Sequence, residues 1–551
     1  MKFKALFVLV ALTSLTTAQQ PQQRRIVRPI DNASMVRLAG TVHPRTAGAI
    51  DRGPIAPTMP LQRMRMVFSP SAQQQAALDQ LLAEQQDPSS ANYHKWLTPE
   101  EFGDRFGLAQ SDIVSVSAWL SAQGFTVDEI ARGRNWIAFS GNAAQVEAAF
   151  RAPIHNYVVG GKTHFAIAND LSIPEAFSGV VTGVTGLHDF APRPRSIITH
   201  ARPRLTSSIT GNHFLVPGDF ATIYNLPSYT QDPATGIKTT PCTGNSGCLD
   251  GTGQTIAIAG QTQLSTDSNP GRNGTPGANG QQYDVVTFRN LAGLPAINLT
   301  VKLKGTDPGV VAADVSEANL DVEWAGATAP NAALIFYIEN SNVGGAFQAL
   351  VDAVTDDKAQ VISISYGTCE AQLDSPTQAS LTNAGIQANA QGQAIVAPSG
   401  DGGAADCDST LPATHGLSVD FPSSMPYATA ISGTTFTGDI ANATNPTQPT
   451  QYWAGATNDI VPSAFSYIPE TSWNDTSGMT TCSPSPCISA TGGGASVKFT
   501  KPSWQTGPGV PADGARDVGR RAKMPSSRLL RLSDQAGQRG TALADHRRRD
   551  A

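Results

Sequence analysis

The segment ALIFYIENSNVGGAFQALVDAVTDDKAQVISISYG (333–367) decides the fold class of this chain. It begins with an apolar run (333–339), continues with a helical stretch, AFQALVDAVTD (346–356), and ends with a second apolar run, QVISISYG (360–367). Strands that are apolar along their whole length and alternate with helices are typical of a parallel sheet covered on both faces. The segment therefore predicts an α/β fold.

The same pattern continues on both sides of this segment. Further strands are predicted at TIAIAG (255–260), AIVAPSG (394–400) and YATAISG (427–433), and a helix at DVSEANLDVEWAGA (314–327). We expect one domain built on a parallel sheet, spanning residues 213–518.

The chain before residue 190 is organised differently. Residues 19–75 are rich in Arg, Pro and Gln and are expected to be extended. Helices are predicted at 76–86, 98–107, 111–124 and 142–150, and strands at FTVDEI (125–130), NWIAFSG (135–141) and IHNYVV (154–159). These elements predict a small α+β domain over 30–190. The Arg- and Pro-rich residues 191–212 are predicted to be an exposed linker.

The first 18 residues, MKFKALFVLVALTSLTTA, have the three parts of a signal peptide. Lys2 and Lys4 precede an apolar run, and small residues lead to Ala18. A buried amino-terminal helix is the alternative, which the following QQPQQRR disfavours. We expect cleavage near Ala18 and a secreted, extracellular protein.

The six cysteines suit an oxidising compartment. Six cysteines allow fifteen pairings, so a pairing chosen from spacing is a preference. The preferred disulfides are Cys242–Cys248, Cys482–Cys487 and Cys369–Cys407. Zinc is the alternative, but neither close pair has C-x-x-C spacing and no His lies near.

Composition excludes several classes of protein. Charged residues make up 15% of the 551 residues, and the net charge is −6. A nucleic-acid binder would need clustered Lys and Arg, and a multi-span membrane protein would need long apolar runs. Residues 519–551 differ, with nine Lys/Arg against three Asp/Glu and no strand or helix pattern. We expect this basic tail to be disordered.

Three acidic residues are candidates for chemistry. Glu317 and Asp321 lie four apart on the helix predicted at 314–327, and hence on one face. The alternative is a solvated acidic face. Asp401 follows an apolar strand in SGDGG, and sites in open α/β sheets form at the carboxyl ends of strands. The alternative there is an Asp that forms a turn.

The run TGGGASVKF (491–499) places three glycines before a strand. Such a run suggests that another stretch of backbone passes close by, and Gly492, Gly493 and Gly494 are candidate substrate-binding residues. It lacks the Lys-Ser/Thr of a phosphate loop. The sequence contains no G-x-S-x-G and no H-E-x-x-H, and its nine His show no metal-ligand spacing.

Taken in order, these motifs resemble the sedolisin (serine-carboxyl peptidase) family, including its pro-kumamolisin activation domain. The activation region carries YHKWLTPEEFGDRFG (93–107) and WLSAQGF (119–125). The later motifs are LVPGDFATIYNLP, GQTIAIAGQ, EANLDVEWAGATAPNA, VISISYG, APSGDGG, FPSSMPYATAISGTT and ATGGGASVKFTKPSWQ. The resemblance covers about 430 residues and implies a subtilisin-like parallel sheet.

The resemblance also implies roles for individual residues. Glu317 matches the family's general base, Asp321 the second acid that orients it, and Asp401 the acid of the oxyanion hole. Ser365, Tyr366 and Gly367 match the strand edge that binds substrate. The implied partners are a protein or peptide substrate and the chain's own activation domain as an intramolecular inhibitor. No nucleic acid is implied, and no membrane after signal removal.

These residue types imply action in acid. A carboxylate base must be ionised to take the serine proton, whereas an aspartic acid in an oxyanion hole must be protonated to donate. The two requirements together predict a bell-shaped optimum at low pH.

One expected element is missing from the sequence. The family places its nucleophile in a Gly-Thr-Ser segment near the carboxyl end, followed by a calcium site, and these 551 residues contain no Gly-Thr-Ser. The sequence matches the family up to Val518 and then changes into the basic tail, which resembles a shifted reading frame; a genuine variant tail is the alternative.

We therefore expect a zymogen by family that has no nucleophilic Ser or calcium site of its own. The alternative is an inactive secreted protein that binds peptides or inhibits related peptidases. An adhesin or carbohydrate-binding module would not explain the ordered acids.

Overall fold

The computed structural model describes residues 22–195, 215–242, 248–264, 283–408, 410–436, 452–453, 462–476, 487–507, 510, 512 and 514–518. The predicted signal peptide, Cys482, most of the 191–212 segment and the 519–551 tail lie outside the described residues.

The amino-terminal part, residues 22–195 of the described chain, contains four α-helices and ten strands. In chain order these are β1 (Met35–Arg37), β2 (Ile50–Pro54), β3 (Pro60–Phe68), α1 (Ala72–Gln86), α2 (Pro99–Phe106), α3 (Gln110–Ala122), β4 (Thr126–Ile130), β5 (Trp136–Asn142), α4 (Ala143–Phe150), β6 (Ile154–Val159), β7 (Lys162–Ile167), β8 (Ser172–Pro174), β9 (Val181–Thr185) and β10 (Arg193–Pro194). Short 3₁₀ helices lie at Pro44–Thr46 and Glu175–Phe177.

The main sheet of this part has the order β4-β5-β3-β9 and is antiparallel. Helices α2 and α4 start where the sequence indicates, whereas α1 begins at Ala72, four residues before its predicted start. Thr98 caps α2 and Asn142 caps α4, and each cap forms a capping box with the third residue of its helix. These reciprocal bonds satisfy amide groups that a helix start leaves without intrahelical partners.

The expectation of a merely extended chain over residues 19–75 is wrong for β3, which is a central strand. Met64 and Met66 are fully buried in the core of the amino-terminal part. Arg63 and Arg65 interrupt the apolar pattern, and this hides the strand from sequence reasoning. The structure buries Arg65 because its guanidinium pairs with Asp352 of the carboxyl-terminal part at 2.8 Å.

The carboxyl-terminal part, the described residues between 215 and 518, contains the remaining elements. They are α5 (Pro217–Ile223), β11 (Tyr229–Gln231), β12 (Lys238–Pro241), β13 (Thr255–Gly260), α6 (Tyr283–Leu291), β14 (Asn298–Lys304), α7 (Val315–Thr328), β15 (Ala333–Glu339), α8 (Gly345–Asp356), β16 (Val361–Ile364), β17 (Tyr366–Cys369), α9 (Ser375–Ala390), β18 (Ala394–Pro398), β19 (Asp420–Phe421), β20 (Ala428–Ile431), β21 (Thr434–Phe436), β22 (Glu470–Ser472), β23 (Gly494–Thr500) and β24 (Ala515–Val518). Short 3₁₀ helices lie at Ser341–Val343 and Glu370–Gln372.

Six of these strands form one parallel sheet in the order β14-β15-β13-β16-β18-β20. Helices α8 and α9 pack on one face, and α6 and α7 pack on the other. The predicted α/β fold is confirmed. The predicted single strand at 360–367 is divided into β16, which belongs to this sheet, and β17, which leaves it to pair with β10 and β19.

On the α7 side, the described helices cover only part of the sheet. Helix α7 packs on β13 and β15, and a cavity of about 290 Å³ lies beside it over β16, β18 and β20. Val361 of β16 is 37% exposed on this face. An apolar strand in a parallel sheet is normally covered, so this face has room for a further element.

Two of the preferred cysteine pairs lie at disulfide distance. The Cα atoms are 5.9 Å apart for Cys242 and Cys248, and 5.0 Å apart for Cys369 and Cys407. The second pair ties the end of β17 to the loop that follows β18.

Among the described helices, none is both long enough and apolar enough to cross a membrane.

Candidate active site: a carboxylate cluster beside residues 193–195

Helix α7 brings Glu317 and Asp321 onto one face, one turn apart. Glu317 is 1% exposed, so the alternative of a solvated acidic face is wrong for this residue. The Oγ of Ser365 donates a hydrogen bond of 2.6 Å to Oδ1 of Asp321. The predicted helix spacing therefore places both acids at the start of the β17 edge.

Burial raises the pKa of Asp321 to about 7, although the hydrogen bond from Ser365 favours the ionised form. Below that pH, Asp321 is mainly a neutral acid.

The hydroxyl of Tyr366 is fully buried and has no hydrogen-bond partner among the described residues. Burial raises its pKa, and the charges of Asp314, Glu317 and Asp321 raise it further. Three carboxyl groups therefore face this phenol. Asp314 accepts a hydrogen bond of 3.2 Å from Nε2 of Gln261, and burial raises the pKa of Asp314 as well.

Asp401 follows β18 and is 8% exposed. Its carbonyl accepts a hydrogen bond of 3.0 Å from the amide of Ala490, and the amide of Gly492 donates to the carbonyl of Gly400 at 2.7 Å. A Cβ atom at Gly492 would overlap the carbonyl oxygen of Ser399. The predicted close approach of backbone at the glycine run is confirmed, and it supports the Asp401 loop.

The same cavity beside α7 joins these positions. Asp321, Ser365, Gly400 and Asp401 all line it, although the two acids are 80 positions apart in the sequence. Glu317 lies one helical turn before Asp321 and faces Tyr366. The assignment of Gly493 and Gly494 to substrate binding stays a prediction; Gly494 begins β23.

Strand β10 lies antiparallel to β17. Arg193 is opposite Gly367 and Pro194 is opposite Tyr366. The amide of Arg195 donates to the carbonyl of Ser365 at 3.0 Å. The prediction of an exposed linker from residue 191 is therefore wrong at its start, since Pro192 is buried and Arg193–Pro194 form β10.

The side chain of Arg195 enters a pocket of buried acids. Its guanidinium lies 2.7 Å from Asp406 and also pairs with Asp420. Burial lowers the pKa of Arg195, but the surrounding carboxylates outweigh this effect and raise it, and Asp401 is one of them. Burial raises the pKa of Asp420 well above its usual value, and the neighbouring Asp406 raises it further, although the charge of Arg195 acts in the opposite direction.

Gly367 is required by this pocket. A Cβ atom at this position would overlap Oδ1 of Asp420, so only glycine lets β17 lie against both Asp420 and β10. Sequence reasoning missed Asp406, Asp420 and Arg195. The acids in AADCD and VDFP and the Pro-Arg-Pro-Arg run were the available signals, but spacing alone does not show that they meet.

The family model described as the pro-kumamolisin activation domain matches residues 47–190. Sedolisin from Pseudomonas sp. (strain 101) is 27% identical over 480 residues, which cover 84% of this chain and 70% of that protein. Xanthomonalisin from Xanthomonas sp. (strain T-22) is 28% identical over 479 residues, which cover 78% of this chain and 50% of that protein.

The chain is similar to the peptidases of the sedolisin family, and its residues 47–190 match the activation-domain family.

A solved structure of Pseudomonas sedolisin, titled a serine-carboxyl proteinase complexed with two molecules of pseudo-iodotyrostatin, is 26% identical. It matches with a TM-score of 0.39 and covers 56% of this chain and 69% of that one. The similarity to these relatives extends over most of the chain. The match at 47–190 falls within the predicted domain at 30–190 and ends just before β10.

Proposed function

We propose that this chain is a secreted, acid-acting serine-carboxyl endopeptidase zymogen in which residues 193–195 fill the substrate cleft. The observation that carries the proposal is the antiparallel pairing of this segment with Ser365–Gly367, beside Asp321 and Asp401. A peptide substrate would bind in the same way, through main-chain hydrogen bonds to a free strand edge.

The acids supply the chemistry that such a site needs. Glu317 is the proposed general base for a serine hydroxyl, and Asp321, which holds its proton up to about pH 7, orients it. A protonated Asp401 is the proposed donor to the oxyanion. The pocket of Asp406 and Asp420 would take a basic substrate side chain as it takes Arg195.

The nucleophile would come from the Gly-Thr-Ser segment that the family places after the position of Val518. The uncovered face over β16, β18 and β20 supports this proposal, because it leaves about 290 Å³ beside Asp321 and Asp401. The family's calcium site would follow the same segment.

The test supplies this segment and then neutralises single acids. The family's Gly-Thr-Ser segment is joined after Val518, and cleavage of an unfolded protein is measured at pH 4. Glu317→Gln should abolish cleavage, because an amide does not accept the serine proton. Asp401→Asn should reduce it by up to about 100- to 1,000-fold, since the amide still donates.

Glu323→Gln is the matched control. Glu323 lies on the same helix and is also 1% exposed, but its raised pKa reflects burial and Asp284 rather than the cavity. Equal losses for Glu317→Gln and Glu323→Gln would contradict the assignment of the base.

A second candidate is a non-catalytic inhibitor of related peptidases, favoured by the filled cleft and by the lack of Gly-Thr-Ser in the sequence. Purified chain would then inhibit an active sedolisin-family peptidase in a titration. Proteolysis by the 551-residue chain itself would rule this candidate out.

A further inference from the structure

Gln261 is a buried side chain that contacts the segment in the cleft. It follows Gly260, the last residue of β13, and is 4% exposed. Its Nε2 donates a hydrogen bond of 3.1 Å to the carbonyl of Pro192 and one of 3.2 Å to Oδ2 of Asp314. Binding residues in open α/β sheets lie at the carboxyl ends of strands, as Gln261 does. The proposed acid chemistry does not use it.

The carboxyl-terminal part alone fixes the direction in which the Gln261 amide points. The amide of Ala346, in the first turn of α8, donates to Oε1 of Gln261 at 3.2 Å. Gly345 makes room for this contact, because a Cβ atom there would overlap Oε1. Oε1 is therefore the acceptor, and Nε2 presents its two N–H groups to Pro192 and Asp314. The donor is oriented independently of the cleft segment.

Asp314 limits what Gln261 can bind in the cleft. The residue precedes α7, is 6% exposed, and takes one of the two N–H groups. One N–H remains for an acceptor in the cleft, and that acceptor is the main-chain carbonyl of Pro192. Gln261 therefore recognises a carbonyl group that every residue has, and not a particular side chain.

This contact lies in register with the strand pairing at the cleft. The amide of Arg195 donates to the carbonyl of Ser365 at 3.0 Å, and its guanidinium enters the pocket of buried acids. Pro192 lies three residues earlier, which is about 10 Å of extended chain. Gln261 and the acidic pocket thus hold the two ends of one four-residue segment.

A purely structural role explains only part of these contacts. The bonds to Ala346 and Asp314 link β13 to the starts of α8 and α7, and they would do so in an empty cleft. The bond to Pro192 adds nothing to that link. It joins Gln261 to the chain that lies in the cleft, which is what a residue that binds substrate would do.

We propose that Gln261 is a substrate-binding residue that donates to the main-chain carbonyl three residues before the side chain held by Asp406 and Asp420. The proposal rests on the proposed function, because it takes residues 192–195 as the stand-in for a substrate. A peptide whose free amino group lies at the position of Arg193 lacks this carbonyl. Gln261 therefore favours internal segments of a protein over such amino termini.

The test is peptide binding to the full 551-residue chain carrying Arg195→Ala, in which the cleft segment loses the anchor of its side chain. Three peptides that end in a fluorescein-labelled lysine amide are compared by fluorescence anisotropy at pH 7. They begin with acetyl-Arg-Pro-Arg, with free-amine Arg-Pro-Arg, and with guanidinovaleryl-Pro-Arg, which lacks both the amine and the carbonyl.

The acetyl peptide should bind about 2- to 10-fold more tightly than the guanidinovaleryl peptide, which is the contribution of one neutral hydrogen bond. Within one protein, competition from the chain's own segment weakens both peptides equally. It therefore cancels from the ratio of their dissociation constants.

Two variants, each combined with Arg195→Ala, remove the donor in different ways. Gln261→Glu keeps an oxygen for the amide of Ala346 but replaces the N–H donor, and Gln261→Met removes both groups. Each should lower the ratio by about 2- to 10-fold. Gln263→Met is the matched control, because Gln263 lies two residues further on and donates to Asp307 at 3.1 Å; its ratio should not change.

A ratio that stays the same in both Gln261 variants would overturn the proposal. Tighter binding of the free-amine peptide than of the acetyl peptide would also overturn it, and would show that the site captures an amino terminus. Failure of all three peptides to bind would contradict the cleft as a peptide site. Loss of cleavage by the chain with the joined Gly-Thr-Ser segment, with the ratio intact, would contradict only the proposed acid chemistry.

Discussion

Replacing Arg195 by Ala should release the segment at residues 193–195 from the cleft. The guanidinium lies between Asp406 and Asp420, whose side chains are fully buried. Removing one partner of a buried ion pair costs about 3–5 kcal/mol, because a charge is left buried without compensation. At about 1.4 kcal/mol per factor of ten, the protection of the amide at residue 195 should fall by roughly 100- to 4,000-fold at pH 7.

Native-state hydrogen exchange of a peptide covering 186–195 measures this opening directly. Arg193→Ala is the control, since Arg193 is exposed on the same strand and keeps its main-chain pairing; its effect should stay within about 0.5 kcal/mol. The loss for Arg195→Ala should shrink toward pH 4, because Asp420, whose pKa burial raises, can take up a proton once Arg195 is absent. Equal protection in the two variants at pH 7 would refute the ion-pair argument.

Three further predictions concern activity and stability. The 551-residue chain should cleave no protein substrate between about pH 3 and 7, as a fluorescent casein assay would show, because acyl transfer needs a nucleophile; acid cleavage abolished by Glu317→Gln would contradict this. Replacing Cys369 and Cys407 by Ala should lower the free energy of unfolding in urea by about 4 kcal/mol, against about 2 kcal/mol for the pair Cys242 and Cys248. The reason is that closing the longer loop removes more entropy from the unfolded chain. The reverse order would contradict this loop argument. Leu350→Ala on α8, a fully buried site, should cost about 2–5 kcal/mol in the same assay; a loss under 1 kcal/mol would contradict its place in the core.

Elements whose structure depends on local chemistry could be predicted from the sequence. The strands at 255–260 and 333–339 have the predicted bounds, because continuous apolar runs can be satisfied only inside a covered parallel sheet. The start of α2 follows from Thr98, whose side chain caps the helix regardless of tertiary contacts.

Other features depend on contacts between distant residues. Strand β3 contains Arg63 and Arg65, which are acceptable in a buried strand only because Glu339 and Asp352 lie opposite. The burial of Glu317 is likewise invisible in its spacing from Asp321, which fits a solvated face equally well. The burial of Arg195 could not be predicted without knowing both that β10 pairs with β17 and that Asp406 and Asp420 lie together.

The central claim is that carboxylates perform the base and donor roles in this cleft. The most direct measurement is the pH–rate profile of the chain with the family's Gly-Thr-Ser segment joined after Val518. The account predicts a bell with its maximum below about pH 6, since Glu317 must be ionised while Asp321 and Asp401 hold protons. A rate that rises through neutral pH to a plateau at pH 8 would contradict it.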